Sequence, residues 1–274
     1  MNAAPGRVRR AGVVAAARAF LARDLRVEFS YRVPFFLEIA GIAFTVLIQY
    51  FVAKLVIPGL VPGGYFTFVL IGVAMSVFMA SGISLLAVKV REEQLQGTLE
   101  ALIGSGLPLG SLAVGLAVFP MLSAVWTAAI YLAVGAVFGA ETVPGADWSL
   151  ALAALVLGAV SFVGIGLVGI ALVLVFRRAA AATGWLVAVL ALAGGEYFPA
   201  DVLPGWFASL AQLSPYTQAL HVARAALLEE GTWAEEGARM LLLASMAVAA
   251  VAFGLGALIL GLRYARRAGT LAQY

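Results

Sequence analysis

Reactive side chains are scarce in this chain. Among 274 residues there is no cysteine and one histidine. That excludes disulfides, thiolate nucleophiles, sulfur-ligated metals and histidine-cluster metal sites, together with most histidine-based acid–base schemes. Lysine occurs only at Lys54 and Lys89, preceded by Ala53 and Val88. A phosphate-binding loop requires Gly-Lys-Ser/Thr, so the chain does not bind ATP in that way. What remains is a few polar groups in apolar surroundings. Glu38 lies about one turn into an apolar run, where an ionised carboxylate is costly. It is either a contact along a pathway for cargo or a carboxylate near the membrane surface paired with a basic neighbour such as Arg32 or Arg7. Gln49 is a weaker candidate for the same pathway. His221 reads as a satisfied interfacial histidine. Arg224, one turn later, reads as the partner of an acid such as Glu196 or Glu229 in preference to a substrate contact.

The elements holding these groups are dictated by composition. The chain is 64% hydrophobic and 11% charged, with a mean hydropathy of +1.04. A water-soluble domain averages about half apolar and about a quarter charged, so the solvent here must be lipid. A hydrocarbon core about 30 Å thick takes about 20 helical residues. Six runs qualify as spans: Pro34 to Val56, Tyr65 to Val88, Leu109 to Phe138, Leu150 to Phe176, Ala179 to about Gly195, and Met240 to Leu262. The fifth is short and stops at Gly194-Gly195-Glu196. Between the runs lie Pro58-Gly59, Pro62-Gly63-Gly64, Gly104 to Pro108, Pro144-Gly145 and Arg177-Arg178, which are turn or loop signals. No cleavable leader is expected, because the first 33 residues carry seven arginines and no apolar run ending in small residues.

Six spans put both termini on one side of the membrane, and the positive-inside bias selects the side. The N-terminal arm, the second-to-third and fourth-to-fifth loops and the C-terminal tail hold 14 of the 17 Lys and Arg; Lys54, Arg224 and Arg239 lie opposite. Both termini are therefore predicted to be cytoplasmic, in a multi-pass protein of the plasma (inner) membrane. The pI of 9.4 then reports topology, and no nucleic-acid partner is expected. The organisation is a single transmembrane domain over 1–274: a cytoplasmic interfacial arm over 1–33, a six-span bundle over 34–262 and a cytoplasmic tail over 263–274.

Three further segments are neither spans nor plain loops. Val8 to Tyr31 reads as an amphipathic interfacial helix with Val14, Leu21, Leu25 and Phe29 on one face. A basic tail that only sets topology is the alternative. Val90 to Ile103 reads as an acidic amphipathic cytoplasmic helix. Leu95, Leu99 and Leu102 form its stripe, and Glu93, Gln96 and Glu100 face away. Such a helix can pass motion from a bound partner to the spans, or it can merely close the loop. Glu196 to Glu230 is too apolar for a solvated loop and is broken by Pro199, Pro204 and Pro215. Pro204 is expected to begin a short helix to about Leu213, and Ser214-Pro215 to cap and begin a second to about Leu228. Each is too short to cross, so the pair is expected to enter and leave the membrane from the external side as a re-entrant hairpin. That hairpin is a candidate exit gate.

At these residues the sequence resembles the permease subunits of type-2 ABC exporters, a family that includes drug, lipid and polysaccharide exporters. One matching stretch is Glu93-x-x-x-Gly97-Thr98-Leu99-Glu100-Ala101-Leu102, similar to the family's E-x-E-x-G-T-L-E run after the second span. The other is Leu203-Pro204-Gly205-Trp206, then Leu210-Ala211-Gln212-Leu213-Ser214-Pro215-Tyr216-Thr217, then Arg224, similar to L-P-x-W, L-N-P-L-T and R before the last span. Leu95 stands where the family often has a second Glu, and Gly106 where it often has Pro. The resemblance implies a coupling helix near Glu92 to Ile103 that docks on a separate ATP-binding subunit, with Glu92, Glu93, Leu95, Gly97, Thr98, Leu99, Glu100 and Leu102 at the contact. It also implies two permease copies, or a paralogue pair, around a central pathway. Two ATP-binding subunits would carry the ATP and Mg, with no cofactor in this chain. Pro199, Leu203, Pro204, Trp206, Pro215, Tyr216 and Arg224 fall in the external re-entrant segment. An amphipathic drug-like molecule, a lipid or a glycan is the implied cargo.

Rival classes make different demands. An ion-coupled secondary transporter needs ionisable groups or interrupted helices near the midplane, whereas here only Glu38 and Lys54 occur, near span ends. A membrane-embedded enzyme needs clustered Asp, His, Ser or metal ligands at one face. A non-transporting membrane partner of an ATPase shares every feature above.

Overall fold

A computed structural model describes residues 13–30, 32–57, 59, 61–98, 104, 108–176, 179–199 and 202–268. Nine helices occur among the described residues, and no strand does. In chain order they are α1 (Val13–Ser30), α2 (Arg32–Ala53), α3 (Tyr65–Leu95), α4 (Leu109–Val137), α5 (Trp148–Val175), α6 (Ala179–Ala193), α7 (Gly205–Ala211), α8 (Pro215–Leu228) and α9 (Trp233–Ala268). Five of them, α2, α3, α4, α5 and α9, are long and apolar enough to cross a membrane, while α6 is a shorter apolar helix. The run expected to reach Gly195 ends as a helix at Ala193, because Gly195 adopts φ 80° and turns the chain back.

Local chemistry explains several boundaries. Asp147 caps α5, its carboxylate accepting from the backbone N–H groups of Ser149 and Leu150 at 3.0 Å each. The Ser149 hydroxyl and these amides hold the Asp147 carboxyl below its ordinary value. Ser214 caps α8 through the N–H of Tyr216 with Pro215 at the first helical position, as the Ser-Pro pair predicts. Pro204 stands one residue outside α7, as its cap, with ψ 138°.

Small residues let the helices approach closely, as lipid-solvated bundles require. A Cβ on Gly164 of α5 would lie 2.5 Å from the Ala250 carbonyl carbon of α9, and one on Gly254 would overlap the Gly164 carbonyl oxygen. Gly82 of α3 meets Gly166 of α5 in the same way, at a π-helical turn over Ser81–Leu85 that interrupts α3. These seams place α5 at the centre. By contrast α2 is peripheral: only 17% of its apolar window is buried, against 72% for α3.

One apolar cluster fills the end of the bundle formed by the start of α3, α5 and α8, with Phe162 and Tyr216 at its centre. A second fills the other end, where Phe20 of α1 meets Leu86, Leu112, Leu174 and Leu262. The expected apolar face of α1 is corrected here. The buried positions are Ala16, Phe20 and Asp24, while Val14 is exposed. The helix turns toward the bare backbone at Gly115 of α4, where a Cβ would meet the Phe20 ring at 2.6 Å.

Candidate functional site

Helix α3 runs between two polar sites, one at each end of the bundle. At its first turns the Arg224 guanidinium, carried by α8, is 9% exposed. It donates to the carbonyl oxygens of Phe68 (2.9 Å), Gly195 (2.7 Å) and Glu196 (3.0 Å) and lies 3.4 Å from the centroid of the Phe68 ring. A rigid fork of donors is what three separate carbonyls need. Gly72 leaves the room, since a Cβ there would stand 2.6 Å from the Glu196 oxygen. The expected charge pair with Glu196 or Glu229 is thereby corrected: Arg224 meets the backbone of Glu196 rather than its carboxylate. An unwound turn after a truncated helix leaves carbonyls unbonded, and these claim the guanidinium first.

The Glu196 carboxylate is itself buried, 4% exposed. It accepts from the Ser76 hydroxyl of α3 at 3.3 Å and the Tyr216 hydroxyl of α8 at 3.5 Å. Tyr216 also reaches the Gly72 carbonyl at 3.1 Å. Burial pushes the Glu196 carboxyl up, while the hydroxyls and Arg224 oppose the rise. The turn after α6 is thus tied to both α3 and α8. Ser76 and Gly72 were not legible in sequence, where they are one small residue each in an apolar helix. Of the other residues singled out in this segment, Pro199 and Leu203 are half-buried, Pro204 and Pro215 cap or begin α7 and α8, and Trp206 is 69% exposed.

The far end of α3 carries an ion-pair relay. Lys89 Nζ bonds Asp24 at 2.7 Å and lies 4.2 Å from the centroid of Phe119. Arg23 bridges Asp24 at 3.0 Å and Glu93 at 2.6 Å. Thr98 donates its hydroxyl to the Glu93 carboxylate and backbone. Two corrections follow for the segment expected to form one helix over Val90 to Ile103. Span two continues as helix through Val90 to Leu95, and the chain then breaks at Gly97, φ 72°. Glu93, expected on a solvated face, is buried because Arg23 captures it, and Leu95, expected in the apolar stripe, is 60% exposed. Glu92 and Thr98 are exposed as well. Leu99, Glu100 and Leu102 lie outside the described residues.

The intramembrane candidates separate. Glu38 accepts from Thr127 of α4 at 3.0 Å, and no Lys or Arg bridges it among the described residues. Its side chain faces α4 across the α2 seam; Arg7 and the side chain of Arg32, the expected basic neighbours, lie outside the described residues. Gln49 is buried on the same face, with its Oε1 unpartnered. His221 contacts Arg239 and stands 3.9 Å from Glu236. Burial and Arg239 push its imidazole down.

Packed apolar helices of spanning length, joined by one helix that links two buried polar sites, define a polytopic helical membrane protein. A profile of the ABC-2 type transporter family matches residues 18–228, from within α1 to the end of α8. The chain belongs to that family and is a transmembrane permease of an ABC-type transporter, whose family implies an ATP-binding partner subunit. No curated protein matches the chain.

Proposed function

We propose that the protein is the permease of an ATP-driven exporter, working as two copies with two separate ATP-binding subunits. Both termini are cytoplasmic, α6 is the fifth of six spans, and residues 196–228 form an external re-entrant gate. Cargo is an amphipathic drug-like molecule, a lipid or a glycan, and ATP with Mg belongs to the partner. In this reading the segment from Glu92 to Ile103 docks on the ATP-binding subunit. Closure of the two ATPases pushes the docked segment, and the first, second and fifth spans re-tilt to open the path below the gate.

The observation that carries this reading is the reach of α3. Lys89 pairs with Asp24 just before the proposed docking segment and Glu93 pairs with Arg23 at its start, while Phe68, Gly72 and Ser76 on the same helix hold Arg224, Tyr216 and Glu196 at the gate. A displacement entering at Glu93 is delivered along one continuous helix, whose π turn at mid-length is the point at which it can adjust. The test is reconstitution of Gly97→Ala and Leu99→Ala with the ATPase encoded by an adjacent, co-transcribed reading frame. Each variant is expected to retain ATP hydrolysis and lose export while inserting normally. Wild-type export by both would refute the coupling role. Failure of the permease to pair with any ATPase would favour an ion-coupled secondary transporter.

A further inference from the structure

The end of the bundle at which α3 begins carries a cavity of about 340 Å³ between the end of α2, the turn residues Lys54, Ile57, Gly59, Val61 and Gly64, the start of α3 and the end of α4. Tyr50, Phe66 and Phe138 form its aromatic wall, with ring centroids 5.3 to 5.6 Å apart. Gly59 and Gly64 line it too, and no atom lies within 4 Å of where their Cβ atoms would stand. Lys54 is at its rim. The ammonium sits 4.4 Å from the Tyr50 centroid and 5.9 Å from that of Phe51. Among the described residues it has no carboxylate within 4.0 Å and no hydrogen-bond acceptor.

The other two cations at this end are committed: Arg224 to three carbonyls, and Arg239 to His221 and Glu236. An ammonium with three open donors, held over an aromatic face beside a cavity, is complementary to an anion. Below it, Phe44, Ile48 and Phe51 are exposed by 65%, 48% and 55% and follow one another on α2 at i, i+4 and i+7. That apolar stripe runs along α2 from the cation toward the bilayer interior. Charged rim, cavity and stripe follow the order of phosphate, glycerol and acyl chain in a phospholipid, at the depth where α2 leaves the apolar layer.

We infer that this cavity binds the phosphate-bearing headgroup of an anionic phospholipid in the adjacent leaflet, with Lys54 bonding the phosphate and an acyl chain lying along α2. The site is separate from the Arg224 gate and from the ion-pair relay at the other end of α3. The experiment uses the full-length protein in nanodiscs of mixed dioleoylphosphatidylglycerol and dioleoylphosphatidylcholine, with retained lipid counted by native mass spectrometry. Wild type is expected to retain phosphatidylglycerol in preference. Lys54→Gln lowers that preference about tenfold, the size expected for one charge-assisted contact. Lys54→Arg restores it and Arg239→Gln leaves it unchanged. An undiminished preference in Lys54→Gln, or an equal loss in Arg239→Gln, overturns the assignment. So does displacement of the lipid by millimolar inorganic phosphate, which would mark a site for the free anion. The chain has no native cysteine, so a disulfide between two copies of Phe51→Cys would show that a second permease copy covers the stripe, and that also overturns the assignment.

Discussion

Arg224 illustrates how a buried cation is tolerated near lipid without a contacting counter-ion. Its donors are spread over the carbonyls of Phe68, Gly195 and Glu196, and its flat face covers the Phe68 ring. Lysine is a point donor on a flexible stem and reaches one of these carbonyls at a time. Arg224→Lys is therefore expected to cost about 3 kcal/mol, most of it from carbonyls left buried and unbonded. Thermal unfolding in detergent would register this as a lower midpoint, and an unchanged midpoint would refute the role. The charge of Arg224 in an apolar segment pointed to a polar partner already in the sequence. That the partner is backbone was not legible, because it depends on where α6 unwinds.

At the scale of elements, caps and close contacts decide where helices begin and how near they come. The cap on α5 titrates. With the Asp147 carboxyl held below the ordinary aspartate value of 3.8, the folded protein binds fewer protons than the unfolded chain in the window just below 3.8. The contribution is thus complete above that value and is lost as the pH falls through the depressed one. Relative to Asp147→Asn, which keeps an acceptor but does not titrate, wild type is expected to lose stability as the pH falls below 3.8; a difference independent of pH would contradict the cap. The α5–α9 seam responds instead to volume. Gly254→Ala places a methyl against the Gly164 carbonyl and is expected to destabilise by about 2 kcal/mol through forced separation of the helices. Neutral behaviour on thermal unfolding would show that the seam can relax. The boundaries of α7 and α8 were readable because Pro and Ser act locally. The break at Gly97 was not anticipated, since an apolar stripe at helical spacing continues past it.

Over the whole molecule, charge sets orientation and packing sets communication. The uneven distribution of Lys and Arg predicts that Ala234, at the start of α9, faces outside and Arg267, at its end, faces the cytoplasm. A membrane-impermeant maleimide on intact cells is expected to label Ala234→Cys and to reach Arg267→Cys only after lysis. The absence of native cysteine makes the signal unambiguous. The reverse labelling would invert the assignment and move the proposed gate to the other face. The proposed communication along α3 rests on no single segment. It rests on α1, α4, α5 and α8 packing against the same helix at different heights, so that the relay at Glu93 and the cluster at Glu196 are joined by one helix.

Composition and periodicity alone settled the lipid solvent and most of the spans, because burying apolar residues in a bilayer depends only on run length and hydropathy. The cap at Ser214-Pro215 followed for an equally local reason. The partners of the scarce polar groups came from tertiary structure. Glu38 meets Thr127, Glu93 meets Arg23, Asp24 meets Lys89, and Glu196 meets Ser76 and Tyr216. In a low-dielectric interior each such group must find a donor or acceptor. Which one it finds depends on helix contacts between residues up to 156 positions apart, and no pattern along the chain encodes that pairing.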